Sequence, residues 1–133
     1  MRSLLILIIG FATGLFSYAG TGDLYFVQIT DTHLGVMDHE KVLERVVEAI
    51  NTLPFPIACV VHTGDLVMDN FEKPEIRASA ARLLGQIRAP VHVVAGNHDL
   101  TDTSSRADIA AWTNQFGPLG ATADYGGARF VFV

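Results

Sequence analysis

Val91-His92-Val93-Val94-Ala95-Gly96-Asn97-His98-Asp99 is the stretch that decides the fold of this chain of 133 residues. Its first five residues are mostly apolar and β-branched, and they predict a buried strand. The last four are polar and begin with glycine, which is typical of a turn at the end of such a strand. In α/β proteins, a polar turn directly after a buried strand is a usual place for ligand-binding side chains.

The same pattern occurs twice earlier in the chain. The strand-like run Leu24–Thr30 leads into Asp31-Thr32-His33, and the run Ile57–His62 leads into Gly64-Asp65. Helical patterns separate the three runs, and this alternation predicts βαβ units with a parallel sheet. Because the carboxyl ends of parallel strands share one edge of the sheet, we expect the three polar segments to meet there. The predicted fold class is α/β, in one domain.

Helices and a hairpin complete the predicted elements: His39–Leu53, Pro74–Ile87, Ser105–Phe116 and the hairpin Thr122–Val133. Asp38 stands at the N-cap position of the first helix. Helical spacing predicts that this helix turns one apolar stripe inward, formed by Val42, Val46, Ala49 and Ile50.

Four side chains of the polar segments are candidate metal ligands: Asp31, His33, Asp65 and Asn97. Two carboxylates, an imidazole and an amide oxygen suit divalent transition metals. Next to them, His98 is a candidate acid for a leaving oxygen, and Asp99 is a candidate partner that would orient its ring. Each segment alone also fits an ordinary helix cap or turn. Together, after three successive strands, they indicate metal-assisted hydrolysis, with a phosphoester as the favoured substrate.

The N-terminus has the pattern of a cleavable signal peptide over residues 1–19. Arg2 supplies a positive start, Leu4–Phe16 is almost purely apolar, and Ala19 offers a small residue for cleavage. The apolar run is shorter than the ~20 residues that span a bilayer, so no stable membrane span is expected after cleavage. The prediction is a periplasmic or secreted protein in which residues 20–133 form the mature domain.

The charge balance restricts the classes of partner. The formal net charge is −5, and removal of Arg2 with the signal peptide leaves 8 basic against 14 acidic residues, or −6. No cluster of Lys and Arg is present that could follow a nucleic-acid backbone. An acidic protein that acts on a small phosphoester needs a local positive centre, which metal ions would supply.

The order Asp31-x-His33, Gly64-Asp65 and Gly96-Asn97-His98-Asp99, each after an apolar strand, resembles the calcineurin-like metallophosphoesterase superfamily. The segment Asp124–Phe130 is also similar to a hairpin found in many members. The resemblance covers Asp23–Val133. It implies a four-layer αββα sandwich, of which this chain would contain only the N-terminal βαβαβ half.

The resemblance also implies a role for each matching residue. Asp31 and His33 would hold the first of two ions, Asp65 would bridge both, and Asn97 would hold the second. A metal-bound hydroxide would be the nucleophile, and His98 the general acid with Asp99 as its partner. Fe, Mn and Zn are all candidates, because imidazole–carboxylate sets accept several metals.

Two departures from the family pattern qualify that expectation. The further histidines of the family, one isolated and a pair in a Gly-His-x-His motif, do not occur after His98. We therefore expect a chain cut short in the strand-like run Phe130–Val133, with the second ion weakly held. The alternatives to an active phosphoesterase are a non-catalytic binding scaffold and an inactive fragment.

The second departure is Met68, which stands where Ser/Thr phosphatases have an aspartate. The chain is therefore more similar to the nucleotide-phosphodiesterase-like and secreted phosphatase-like branches. The neighbouring Asp69 is interpreted as a solvated loop acid, since acidic residues are ordinary in turns.

Overall fold

The computed structural model describes residues 8–11, 23–69 and 71–133. Its elements, in chain order, are β1 (Ile8–Phe11), β2 (Tyr25–Ile29), α1 (His39–Asn51), β3 (Cys59–His62), α2 (Pro74–Leu84), β4 (Val91–Val93), α3 (Arg106–Phe116), β5 (Ala121–Tyr125) and β6 (Ala128–Phe132). Strands and helices alternate from β2 to α3, which confirms the predicted mixed α/β class.

The first four strands form one sheet in the order β1-β2-β3-β4. Strands β2, β3 and β4 are parallel neighbours, with Val27 opposite Val60 and Val60 opposite Val91. Their carboxyl ends therefore lie along one edge, as the sequence predicts. Strand β1 pairs antiparallel with β2 and falls within the predicted signal peptide. The remainder of that segment lies outside the described residues, and its cleavage stays a prediction.

The three helices contribute to a hydrophobic core on one face of the sheet. Buried residues of this core include Val60 of β3, Leu43 of α1, Leu83 of α2 and Trp112 of α3. Burial of these large apolar side chains provides the main driving force for packing this face, at roughly 1.5–3 kcal/mol for each fully buried side chain. Within the described residues, each helix is too short or too polar to cross a membrane.

The hairpin β5–β6 accompanies a second apolar cluster on the other face of the sheet. Exposure alternates along both strands, so one face of the hairpin is turned inward. Phe132 is buried with Cys59 and Val61 of β3, and Phe130 meets Phe26 edge-on at 5.2 Å between ring centroids. The described residues thus form three layers, helices, sheet and hairpin. A fourth layer of the expected sandwich is not seen among them.

The structure corrects two details of α1. Its buried residues are Leu43, Val47 and Ile50, whereas Val42 is 43% exposed and Ala49 also faces solvent. The helix is therefore rotated relative to the predicted stripe. Asp38 does occupy the N-cap position, but its backbone is left-handed (φ 66°) and its side chain makes no capping hydrogen bond. Its carboxylate instead pairs with Lys41 at 2.7 Å.

Candidate metal centre

The site begins where the chain leaves β2 and β3, because backbone pairing continues beyond both strand ends. The amides of Asp31 and His33 donate to the carbonyls of Gly64 and Asp65, each at 3.0 Å. One residue further along, Leu34 donates to the Leu66 carbonyl at 2.8 Å. These bonds hold two loops side by side, residues 31–34 and 64–67, which we call the ligand loops.

The three candidate ligands on these loops share an unusual backbone conformation. Asp31, His33 and Asp65 have φ values of 56°, 46° and 56°. A left-handed backbone is uncommon for residues other than glycine, and it occurs preferentially at functional sites. Such a backbone persists where surrounding contacts hold it in place. Here the hydrogen bonds between the two ligand loops hold it.

Asp31, His33 and Asp65 converge on one point. Each offers one ligand atom, and these three atoms lie within 4.8 Å of one another. Asp31 is the most open of the three, with 53% of its side chain exposed, whereas 17% of the His33 side chain is exposed. The structure thus brings together three of the four metal ligands that the sequence predicts, at a position that solvent can reach.

The third polar segment packs directly against Asp65, and glycine makes this approach possible. A Cβ atom on Gly96 would lie 2.2 Å from Oδ1 of Asp65, and one on Gly64 would lie 2.9 Å from Cα of Gly96. In this close contact the amide of His98 donates to Oδ1 of Asp65 at 3.1 Å. Asn97, the fourth predicted ligand, is exposed on the same turn, next to the residue that binds Asp65.

Asp99 is held differently from the sequence expectation. It is only 4% exposed, and its carboxylate accepts backbone amides from Leu66 at 3.1 Å, Val67 at 2.8 Å and Gly96 at 2.9 Å. Burial raises the pKa of Asp99, while these three hydrogen bonds oppose the rise. The carboxylate joins the second ligand loop to the turn after β4, and it is not the group seen to orient the His98 ring.

The partner of His98 is Asp69. Nδ1 of His98 lies 2.8 Å from Oδ1 of Asp69, and this hydrogen bond raises the pKa of His98. Asp69 has a left-handed backbone (φ 50°) and a 63% exposed side chain, which fits the solvated loop acid that the sequence suggests. Its bond to His98 is an additional contact that the sequence does not predict. Nothing in the sequence pairs Asp69 with His98, which lies 29 residues further along the chain. The His98 ring is also 5.2 Å from the His33 ring, which places it beside the ligand cluster.

A divalent ion fits this cluster. Two carboxylates and an imidazole meet at one point, and Nε2 of His33 faces Oδ1 of Asp31 at 3.6 Å. Nδ1 of His33 is buried and has no hydrogen-bond partner in the described part of the chain, so this ring nitrogen has binding capacity that the described residues leave unused. Carboxylate and imidazole donors are the set that Fe, Mn and Zn accept. A second ion would have Asp65 and Asn97 as its ligands among the described residues.

Comparisons with known proteins give a family match over most of the chain. The model of the family described as Calcineurin-like phosphoesterase matches residues 24–132. Two curated relatives, from Escherichia coli strain K12 and E. coli O157:H7, are both named 3',5'-cyclic adenosine monophosphate phosphodiesterase CpdA. Each is 34% identical over 89 residues, which cover 61% of this chain and 32% of the relative. The matched region thus spans about a third of the length of these relatives.

Among solved structures, the chain is similar to a protein of unknown function, AQ665 from Aquifex aeolicus. The TM-score is 0.44 at 17% sequence identity, over 80% of this chain and 57% of the other.

Proposed function

Because this chain belongs to the calcineurin-like phosphoesterase family, we propose that it is a metal-dependent hydrolase of small-molecule phosphoesters. The observation that carries the proposal is the convergence of Asp31, His33 and Asp65 within 4.8 Å, beside His98. Ligands for a cation and a group that can deliver a proton are the two requirements of metal-assisted ester hydrolysis.

The proposed centre is dinuclear and asymmetric. Asp31, His33 and Asp65 would hold one ion, and Asp65 with Asn97 would hold the other. Divalent ions, when bound, lower the pKa of a water molecule and neutralise charge on the phosphate. Since the second position has only two ligands among the described residues, its affinity is expected to be the lower of the two.

His98 is proposed as the general acid. One water molecule releases a proton to the solvent as its oxygen bonds to phosphorus, the bond between phosphorus and the leaving oxygen breaks, and the proton of His98 passes to that leaving oxygen. Nδ1 is engaged with Asp69, so Nε2 is the nitrogen that would deliver the proton. Asp69 keeps the ring oriented and favours its protonated form. Asp99 contributes by holding the loop that carries Asp65 against the turn that carries His98.

A phosphodiester is the substrate class that we favour. The support is the similarity to relatives named as cyclic adenosine monophosphate phosphodiesterases. The predicted signal peptide supports a periplasmic or secreted location for the activity. Mn, Fe and Zn are the ions to test, because the ligand set accepts each of them.

Calorimetric titration with each metal and hydrolysis of bis-p-nitrophenyl phosphate against p-nitrophenyl phosphate test the proposal. We expect one tight and one weak ion, and turnover of the diester that EDTA abolishes. Asp65→Asn should weaken metal binding at least about 100-fold, because it removes an anionic ligand shared by both positions. Asp102→Asn, on an exposed loop, is the matched control. His98→Asn should retain the metals and lower kcat by about 10²–10⁴-fold.

Failure of the chain to bind any of the three metals would overturn the proposal. Metal binding without turnover of either ester would favour the non-catalytic scaffold or the inactive fragment instead.

A further inference from the structure

Two buried polar side chains connect the ligand loops, and the proposed reaction uses neither of them. They are Thr32 of the first loop and His62 at the end of β3. Thr32 is 6% exposed and His62 is fully buried. Nε2 of His62 and Oγ1 of Thr32 are 3.0 Å apart. A buried pair of this kind is costly unless its hydrogen bonds are satisfied, so its contacts show what it holds together.

The direction of each hydrogen bond follows from the donors present. The backbone amide of Gly64 can only donate, and it meets Nδ1 of His62 at 3.3 Å. Burial lowers the pKa of His62 to about 4, so the ring is neutral and its single proton is at Nε2. Nε2 therefore donates to the Thr32 hydroxyl, which in turn donates to the Leu66 carbonyl at 3.0 Å. One chain of bonds thus runs from Gly64 through His62 and Thr32 to Leu66.

The positions of these contacts are specific to the ligand loops. Thr32 separates Asp31 from His33, while Gly64 and Leu66 flank Asp65 on either side. All three ligands have a left-handed backbone, which is unfavourable for residues other than glycine. A side-chain bridge between the centres of the two loops opposes relaxation of that conformation.

Another histidine on the same sheet shows what the bridge adds. His92 lies in β4 on the face covered by the hairpin, where Nε2 contacts the Tyr125 hydroxyl at 2.8 Å and the ring stacks on Phe132 at 4.7 Å. Those contacts hold the hairpin layer. The contacts of His62 are instead with residues adjacent to the candidate ligands. Both histidines make hydrogen bonds through their rings, but only those of His62 reach the ligand loops.

We propose that Thr32 and His62 are positioning residues of the metal centre, which fix the two ligand loops so that Asp31, His33 and Asp65 face the same ion. The inference rests on the metal site proposed above. In the absence of this bridge, the loops would retain their backbone pairing, and the three ligand atoms would lose the restraint on their relative orientation.

Matched substitutions in the 133-residue chain test the proposal, with Zn²⁺ affinity measured by calorimetry and the Co²⁺ absorption spectrum as a record of ligand geometry. Thr32→Val removes the hydroxyl and keeps the shape, and its control is Thr63→Val, which removes a hydroxyl bonded to Gln28 at the end of β3. His62→Asn is compared with His92→Asn in the same way. We expect about 10-fold weaker Zn²⁺ binding for Thr32→Val, 10–100-fold for His62→Asn, and a changed Co²⁺ spectrum for both.

The two controls should bind Zn²⁺ within about twofold of the wild type, and Thr32→Ser should restore the affinity. Wild-type affinity and spectrum in Thr32→Val and His62→Asn would overturn the positioning role and leave the metal site intact. If the wild-type chain itself binds no metal, the proposed function fails first.

A measurement on the wild type keeps the test independent of variant folding. Zn²⁺ titration followed by NMR should shift the Nε2 proton of His62 together with the amides of the ligand loops, and should leave the His92 ring unchanged. Loop amides that shift while the His62 proton stays in place would contradict the proposal.

Discussion

The floor of the site and its rim are held by different means. The floor comprises the ligand loops and three buried polar side chains. These are Thr32, His62 and Asp99, and each is bonded to backbone or to another of the three. The rim comprises Asp69, Asn97 and His98, where Asp69 and Asn97 are exposed and the main side-chain contact is the Asp69–His98 pair at 2.8 Å. Buried, satisfied polar groups are costly to disturb, whereas exposed ion pairs contribute little to stability. Changes in the floor should therefore affect folding and metal affinity, and changes to Asp69 and His98 in the rim should affect rate.

The largest effect on stability is expected from Asp99→Asn. An amide has one acceptor oxygen where the carboxylate has two, so at least one of the three backbone donors would lose its partner. We expect the free energy of unfolding of the metal-free chain to fall by about 4 kcal/mol, measured by urea denaturation. Asp102→Asn is the exposed control. A loss equal to that of the control would show that the floor is not held through Asp99.

The second-largest effect on stability is expected from the protonation of His62 as the pH falls. Burial lowers the pKa of His62 to about 4, below the value of about 6.5 in an unfolded chain, so the unfolded state takes up a proton first as the pH falls. The contribution of neutral His62 to the free energy of unfolding is fully present above pH 6.5 and is lost between about pH 6.5 and 4. Over this window the free energy of unfolding should fall by about 3 kcal/mol. Unfolding of metal-free wild type and His62→Gln across this window measures it. Parallel pH profiles for the two proteins would contradict the prediction.

The smallest effect, and one confined to the rim, is expected from Asp69→Asn. The hydrogen bond to Asp69 is the main cause of the raised pKa of His98, so its weakening should lower that pKa. NMR titration of the His98 ring in the metal-free chain measures this shift directly. In an active enzyme, kcat should fall about tenfold, and its alkaline limb should move to lower pH because the acid loses its proton sooner.

The free energy of unfolding should distinguish Asp69→Asn from the variants of the floor. Asp69 is mostly exposed, so the free energy of unfolding of Asp69→Asn should stay within about 0.5 kcal/mol of the wild type. A larger fall in the free energy of unfolding would mean that the rim also stabilises the fold.

Much of the fold could be predicted because local pattern and tertiary role coincide. The runs around Val27, Val60 and Val91 are β-branched and apolar, and they form neighbouring parallel strands. The sequence also predicts the start of α3 to within one residue, and in the structure Ser105 caps this helix in a capping box with Asp108. The inward face of α1 could not be predicted, because Leu43 and Val47 compete with Val42 and Val46 at similar helical spacing. The sheet decides which of them is buried.

The candidate site could likewise be predicted from the sequence only in part. Asp31, His33, Asp65 and Asn97 were identified as candidates from their positions after three strands, and the first three converge in space. For His98, the sequence predicts a different partner from the one that the structure shows. Asp99 is adjacent in the chain, but the turn directs its carboxylate towards buried amides, whereas Asp69, 29 residues away, reaches the ring.

By itself, the sequence determined the α/β class, the family and the residue types available for binding a metal. These depend on periodicity and on short motifs, which are local properties of the chain. Only the tertiary structure decided which carboxylate supports the acid and which supports the loops, and that His62 and Thr32 connect the two ligand loops. Such pairings depend on directions of side chains from separate elements, which the packing of the sheet and its turns establishes.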